Sequence, residues 1–528
     1  MCRYILVVLL TAVALSSAGR VQKENIQLPS DALMHRETVK GIFSNSYMAY
    51  KAYAWGHDSL LVNSRSYVDD HNGWGATIVD SMSTMWIMGL YTWFDEAVNH
   101  TATVNFNQSQ TNDVTGLFET TIRYVGGLLS AYELSGKKRQ ILVDKAEEVT
   151  QQMAYAWIGN NAIPYGKVNF ATRRPRIEDT SIAGAGTLTL EWSRLSLYTG
   201  NDTYRQLAEK AMQHLIHMPS DLPGMLPQML NPSTGDATNN YVTWGANADS
   251  YFEYLIKYAR LTNTNDDSYA DAWLTAVNSS IETLARRSTV GNWLYIADYD
   301  SGNVLHVGSH LACFYGGNWI LGEQLRHCSL RRFADGRDSS SGGKLTNNDN
   351  IVSMGLNLTD ACWNTYASTA TGIGPERFAY ISSDGGYTSS SPPNADQTAF
   401  YNKRGFYITD ARYLLRPEVL ESNFYAWRAT GDVKYWNNAI SAVQSFQEYL
   451  RTSVAYTEIA DVNNRASSRS DEAESFWFAE TLKYLYLTFD DPQHISLDDY
   501  VFNTEAHPFM APPATANYGS GSVFPVSD

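Results

Sequence analysis

The chain has 528 residues, enough for about three ordinary domains or one large repeat-built domain. Its 55 Asp and Glu outnumber 39 Lys and Arg, and the net charge of −16 argues against nucleic acid or an anionic membrane surface as a partner. Hydrophobic residues at 44%, with 34 Tyr, 14 Trp and 19 Phe, make the composition globular and rich in rings for packing and for stacking on sugars.

The first segment reads as a secretory signal peptide over residues 1–18. Arg3 precedes an apolar run from Tyr4 to Ala14, and Ser16 and Ala18 stand where a signal peptidase requires small residues. An uncleaved anchor is the alternative, but the run is shorter than the roughly 20 residues a bilayer demands, so no stable membrane anchor is expected. Sequons at Asn99, Asn107, Asn201, Asn278 and Asn357 agree with a secreted protein or one of the secretory-pathway lumen. Cys2 leaves with the signal, so Cys313, Cys328 and Cys362 remain for one bridge and one free thiol, and sequence alone does not choose the pair.

After a lead-in over residues 19–34, the pattern is helical. Phe118, Ile122, Val125, Leu128, Leu129 and Tyr132 recur at the helical period, as do Phe424, Trp427, Tyr435 and Ile440 across a turn. Helix-like runs break at Gly136, Gly200, Thr264 and Gly431 and then restart. The first two intervals are each 64 residues (200 − 136 and 264 − 200). That period gives about seven helical hairpins, which would close into a ring; an irregular all-α stack is the plainer alternative. The run 335–350 and the Pro-containing run 382–395 read as surface loops, and 510–528 as a flexible tail behind a single domain at 35–509.

Four constellations carry acids. Glu119 lies beside the apolar face of its helix, where burial raises a carboxyl pKa and suits a proton donor, while Arg123 four residues on opposes that. Ser250 and Glu253 have capping-box spacing, which puts Asp249 just outside a helix start, where exposed N–H groups keep a carboxylate ionised. Glu418 and Glu421 share one face after Pro417 and beside Arg416, an arrangement that suits a cation or a polyhydroxyl ligand. The polar run Val501 to Pro508 has no period; Glu474 and Glu480, six apart, do not share one helical face, so one is expected to point inward. No HExxH, paired CxxC, EF-hand loop, Walker loop or GxSxG elbow occurs. Acids near aromatic rings in a secreted helical protein suit glycosidic hydrolysis by two placed carboxyls.

These motifs together resemble the class I α-1,2-mannosidases, glycoside hydrolase family 47, most closely the secreted fungal type. They run in order from Gly73-Trp74-Gly75 through FETTIR (118–123), ADSYFEYL (248–255), HLACFYGG (310–317), GIGPE (372–376), LRPEVLES (415–422), ESFWFAETLKYLYL (474–487) and VFNTEAHP (501–508). The resemblance implies an all-α (αα)7 barrel of helical hairpins with short β elements, acting as a monomer. It implies calcium-dependent, inverting removal of terminal α-1,2-linked mannose from Asn-linked high-mannose glycans. By motif, Glu119 would be the general acid acting through a water, Glu418 the base, and Asp249 and Glu376 further essential carboxylates. Thr504 would contact calcium, while Glu191, His310, Arg416, Glu421, Phe476, Glu480 and Glu505 would line the mannose pocket. It also implies a bridge from Cys313 to Cys362, with Cys328 free.

The chain departs from the family pattern at Ser83 and Ser309, where Asp is usual. Asn247 stands where members selective for one mannose carry Arg, so trimming of several residues is expected. Two rival readings are a catalytically silent mannose-binding quality-control factor on the same barrel, and an inverting starch-type exo-hydrolase. Retention of Glu119, Asp249, Glu418 and Thr504, and the lack of a retention signal at Val526-Ser527-Asp528, favour the enzyme reading.

Overall fold

The computed structural model describes residues 20–111, 114–326 and 351–523. The signal segment, Cys328, the run 335–350 and Val526 to Asp528 lie outside them.

Among the described residues, seven inner helices form a ring. They are α2 (Ala76–Ile87), α4 (Gly126–Leu134), α6 (Thr189–Thr199), α8 (Asp249–Thr262), α10 (Tyr315–Arg326), α12 (Glu418–Thr430) and α14 (Leu482–Phe489). Seven outer helices cover them: α1 (Ala32–Tyr53), α3 (Tyr91–Thr103), α5 (Gln140–Met153), α7 (Thr203–Ile216), α9 (Ser268–Ser279), α11 (Ile351–Ala367) and α13 (Val433–Tyr449). Six inner helices pack on the outer helix that follows them, and α14 packs on α1, so the two ends of the chain complete the last pair. Each inner helix also touches the next around the ring, and the turn opening α14 returns to α2. The hairpin ring expected from the turn spacing is present.

Burial separates the two layers. Along α2 every residue but Trp86 is buried, whereas α3 buries only the stripe Phe94, Ala97, Val98 and Thr101. A helix apolar all round belongs inside, and one with a single stripe belongs at the surface. α6, α8 and α12 end in left-handed residues at Gly200, Asn263 and Gly431, which close the helices and turn the chain outward. One hydrophobic cluster runs from Val21 to Tyr518.

Three local features differ from the sequence reading, and the lead-in proves to be a packed part of the barrel. The apolar face from Phe118 to Tyr132 is interrupted by a π-helical turn at Thr120–Val125, which offsets Glu119 from the face of α4. The capping box at Ser250 is not formed: α8 starts at Asp249 with no side-chain cap, the Ser250 hydroxyl accepts from Thr187, and Glu253 pairs with Lys257 instead. Tertiary partners have outcompeted the local cap. The lead-in is docked, since Val21 and Gln22 donate their backbone N–H groups to Asp498. The segment expected to be a free tail is held to the barrel as far as Gly521, because Asp271 accepts from Ser520 and Gly521.

Two covalent and hairpin features set the site. Cys313 and Cys362 form a disulfide, tying the turn before α10 to α11. The hairpin Tyr500–Phe502 with Pro508–Met510 plugs one end of the ring: Ser130 donates to Pro508 O (2.8 Å), and Phe502 packs against Phe424 and Tyr484. Among the described residues, no helix is long and apolar enough to cross a membrane.

Candidate active site

Several acids stand at or just before the N-terminal ends of inner helices. Glu119 ends the short turn Leu117–Glu119, Asp249 opens α8, Glu418 opens α12, and Phe476 precedes the π turn Trp477–Thr481. Residues more than 100 positions apart in sequence thus meet. Asp249 feels the charges of Glu253, Glu418 and Arg416; Glu480 feels Glu505, Glu418 and Glu421.

The three principal acids sit in different electrostatic surroundings. Glu418 accepts from His310 Nδ1 (2.7 Å), whose Nε2 lies 2.8 Å from the Tyr366 hydroxyl. Burial alone would raise the Glu418 carboxyl, but the His310 hydrogen bond and the charge of Arg416 hold it below its usual value. Asp249 is the reverse. Burial, reinforced by the negative charges of Glu253 and Glu418, pushes it up to about 7, despite the bond from Ser250 N–H. The expectation of a carboxylate kept ionised by the helix start is therefore overturned by its neighbours.

Glu119 also contradicts its expectation of a raised pKa. Burial works upward, yet Arg123 (Nε to Oε2, 2.8 Å) and His71 (Nε2 to Oε2, 3.7 Å) outweigh it and hold the carboxyl far below the usual range. Although surrounded by protein, the Glu119 side chain is 45% exposed because it lines an open cavity.

At the plugged end, the hairpin tip brings Thr504 in among acids. Thr504 N–H donates to the Tyr254 hydroxyl (3.3 Å), and that hydroxyl donates to Glu191 (2.6 Å). Asn503 donates to the same Glu191 oxygen (2.8 Å) and to Ile122 O (2.9 Å), while the other Glu191 oxygen is buried with no partner. Burial pushes Glu191 up to about 7; burial and the charges of Glu253 and Glu418 push Glu421 up to about 8. Glu505 pairs with Arg123, and Lys483 donates to Ala506 O, fixing the turn. Repelling carboxyls and an orphaned oxygen beside Thr504 fit a hard divalent cation. Among the described residues, no three His, Cys, Asp or Glu side chains form a direct ligand shell, so these acids would act on such an ion through intervening groups.

The wall is built by Arg416 and Glu376, joined through Nε at 2.7 and 2.9 Å, with the Arg123 and Arg416 guanidiniums 5.7 and 5.9 Å from the Phe476 ring centroid. Of the departures, Ser83 lies 3.0 Å from His507 Nδ1, Ser309 accepts from Ala312 N, and Asn247 is exposed with a left-handed backbone. Sequence reasoning missed His71, Asp80, Tyr254, Lys257, Lys483 and Asn503. Nothing local marks His71, which reaches Glu119 only through the fold.

A ring of helical hairpins that gathers carboxyls from separate hairpins beside an aromatic ring has the groups that glycosidic hydrolysis uses. The sequence profile of glycosyl hydrolase family 47 matches residues 42–511, and the chain belongs to that family. It is 37% identical to a probable mannosyl-oligosaccharide alpha-1,2-mannosidase 1B from Aspergillus clavatus, over 94% of this chain and 97% of that protein. It is 36% identical to mannosyl-oligosaccharide alpha-1,2-mannosidase 1B from Aspergillus phoenicis, covering 91% and 92%. The solved alpha-1,2-mannosidase from Trichoderma reesei superposes with a TM-score of 0.83 at 33% identity, covering 91% of this chain and 99% of that one.

Proposed function

We propose that this enzyme hydrolyses terminal α-1,2-linked mannose from Asn-linked high-mannose glycans with inversion, requires calcium, and removes several residues from one glycan. It acts as a monomer in the secretory-pathway lumen or outside the cell. The observation that carries this reading is geometric: Glu119 with Arg123, Phe476 beside Arg123 and Arg416, Arg416 on Glu376, and Glu418 on His310 come from separate hairpins into one connected group of acids, cations and an aromatic ring, which suits hydrolysis of a glycosidic bond by placed carboxyls.

Glu418, oriented by His310, takes the proton of the attacking water. Glu119 stays a carboxylate in the resting enzyme and holds a water; that water gives a proton to the departing glycosidic oxygen and regains one from solvent through the open cavity, while Glu418 later releases to solvent the proton it took. Asp249 keeps a proton near neutral pH, and donates a hydrogen bond to substrate or water. Arg416, fixed by Glu376, and the ring of Phe476 form one wall for the sugar; Glu421, Glu480, Glu505 and Glu191 accept from its hydroxyls or from waters. Thr504 would hold calcium through its hydroxyl and carbonyl oxygens, and the ion would supply positive charge that orients ring hydroxyls. Inversion needs a water opposite the leaving group, with acid and base about 6.5–9.5 Å apart. Exposed Asn247 brings no guanidinium to the rim, which favours removal of more than one mannose.

The test is NMR of a nine-mannose glycan incubated with the protein, with and without a chelator. Free β-mannose should appear first, several residues should be released, and chelation should stop the reaction. α-Mannose as first product rejects inversion, release of a single residue rejects multiple trimming, and binding without release supports the silent lectin-like reading.

A further inference from the structure

His71 follows Asp70 in the loop leading to α2, and its side chain is only 13% exposed. Its Nδ1 lies 2.8 Å from Asp70 Oδ1, and its Nε2 faces Glu119 Oε2 at 3.7 Å. A neutral imidazole carries one N–H and would turn a lone pair toward one of these carboxylates; only the imidazolium satisfies both. The backbone under the ring is clamped. His71 N–H donates to Asp58 Oδ2 (2.8 Å), its carbonyl accepts from the Tyr124 hydroxyl (2.8 Å), and buried Asp58 also accepts from Gly73, Gly75 and Ala76. The ring is thereby fixed to the start of α2.

We propose that His71 is a positioning residue: its imidazolium, held between Asp70 and Glu119, keeps Glu119 ionised and aimed into the adjoining cavity. That cavity, about 400 Å³, is lined by Asp70, His71, Gly116, Glu119 and Thr120 among others, and has room for the water that Glu119 must hold. The inference rests on the mannosidase reading given above.

Other charges converge on the same pair. Arg123 from the π turn faces both groups; Asp58, Glu472 and Glu474 act on His71, and Glu505 from the terminal hairpin acts on both. Burial alone would favour a neutral ring, but the bonds to Asp70 and Glu119 push His71 up to about 10, so it is a cation throughout the working range. Arg123 bonds Glu119 at 2.8 Å but is shared with Asp80 and Glu505, whereas the His71 ring lies between Asp70 and Glu119; Lys167 and Arg176 line the same cavity.

The test is the pH profile of kcat/KM on a nine-mannose glycan for wild type, His71→Gln and His71→Arg. Without the imidazolium only Arg123 opposes burial, so Glu119 moves up toward its ordinary value of about 4.3, at which about one-third of it would be ionised at pH 4. The ratio of kcat/KM at pH 4 to that at pH 6 should therefore fall up to about threefold further in H71Q than in wild type, with a steeper acid limb, while H71R keeps the wild-type limb. Should H71Q fail to fold, Asp70→Asn, which frees Nδ1, should move the limb in the same direction by less. An unchanged limb in the folded variant, or H71R displaced as far as H71Q, overturns the proposal. Absence of mannose release by the wild type would instead count against the mannosidase reading.

Discussion

Asp249 and Glu418 show how two carboxyls facing one space come to differ. Glu418 has a histidine donor and a guanidinium in reach; Asp249 has two carboxylates as neighbours and one backbone N–H as a donor. The consequence for stability follows from linkage. Below about pH 4, Asp249 is protonated in both the folded and the unfolded chain. Between about 4 and 7 the unfolded chain releases a proton that the folded chain keeps, so the stability owed to this group falls as pH rises, and the loss is complete above the folded value. Asp249→Asn removes that slope. Thermal unfolding of metal-free protein should show the variant gaining on wild type between pH 5 and pH 7.5, while its kcat falls by about a hundredfold or more. A variant that tracks wild-type stability across that range would place the Asp249 carboxyl near its ordinary value.

At the scale of elements, the site depends on how closely the terminal hairpin approaches the inner ring. Gly126, at the start of α4, lies under the Asn503 amide, and a Cβ there would collide with it and come within 3.3 Å of His507. Asn503 in turn links Glu191 to the tip that carries Thr504. Gly126→Ala should thus weaken calcium binding by about 10- to 100-fold, read by calorimetric titration, through a group that never touches the ion. Gly41→Ala on outer α1, where no heavy atom lies within 4 Å, should leave affinity unchanged. Equal affinities in the two variants would disconnect the hairpin's depth from the ion. What the chain reveals at this scale divides by range. The turns at Gly200 and Gly431 were legible because a left-handed residue closes a helix by local geometry, and with them the hairpin period. The π turn at Thr120–Val125 was not, since an inserted residue leaves the apolar residues nearly periodic. The same holds for Ser250 and Glu253, whose capping spacing was overruled by Thr187 and Lys257. Acid identities came through the motifs, but their protonation depends on His71 and His310, which the fold brings from other hairpins.

The whole ring must be closed by its two chain ends, because α1 packs on α14 rather than on the helix that follows it. That seam is polar as well as apolar. Arg428, fully buried near the end of α12, donates to Pro492 O (2.9 Å), Ile495 O (3.2 Å), Leu487 O (2.8 Å) and the Gln22 side-chain oxygen. The same Gln22 oxygen accepts from Leu497 N–H (3.1 Å), and its amide donates to Pro492 O (3.2 Å). A residue of the lead-in thus accepts from a buried guanidinium of the sixth inner helix and anchors the segment leading to the terminal hairpin. Gln22→Ala would leave the Leu497 N–H without an acceptor in a site closed to water, while Arg428 Nη1 keeps Pro492 O and Ile495 O. Such an orphan costs about 1–3 kcal/mol, so the variant should lose about that much in denaturant unfolding. Gln22→Glu supplies an acceptor of opposite charge and should retain most of the stability at neutral pH. If Gln22→Ala unfolded at the wild-type midpoint, the seam would be held by the apolar contacts of α1 and α14 alone. A midpoint shift with unchanged kcat per folded molecule is the expected result, because Arg428 lies at the opposite end of α12 from Glu418.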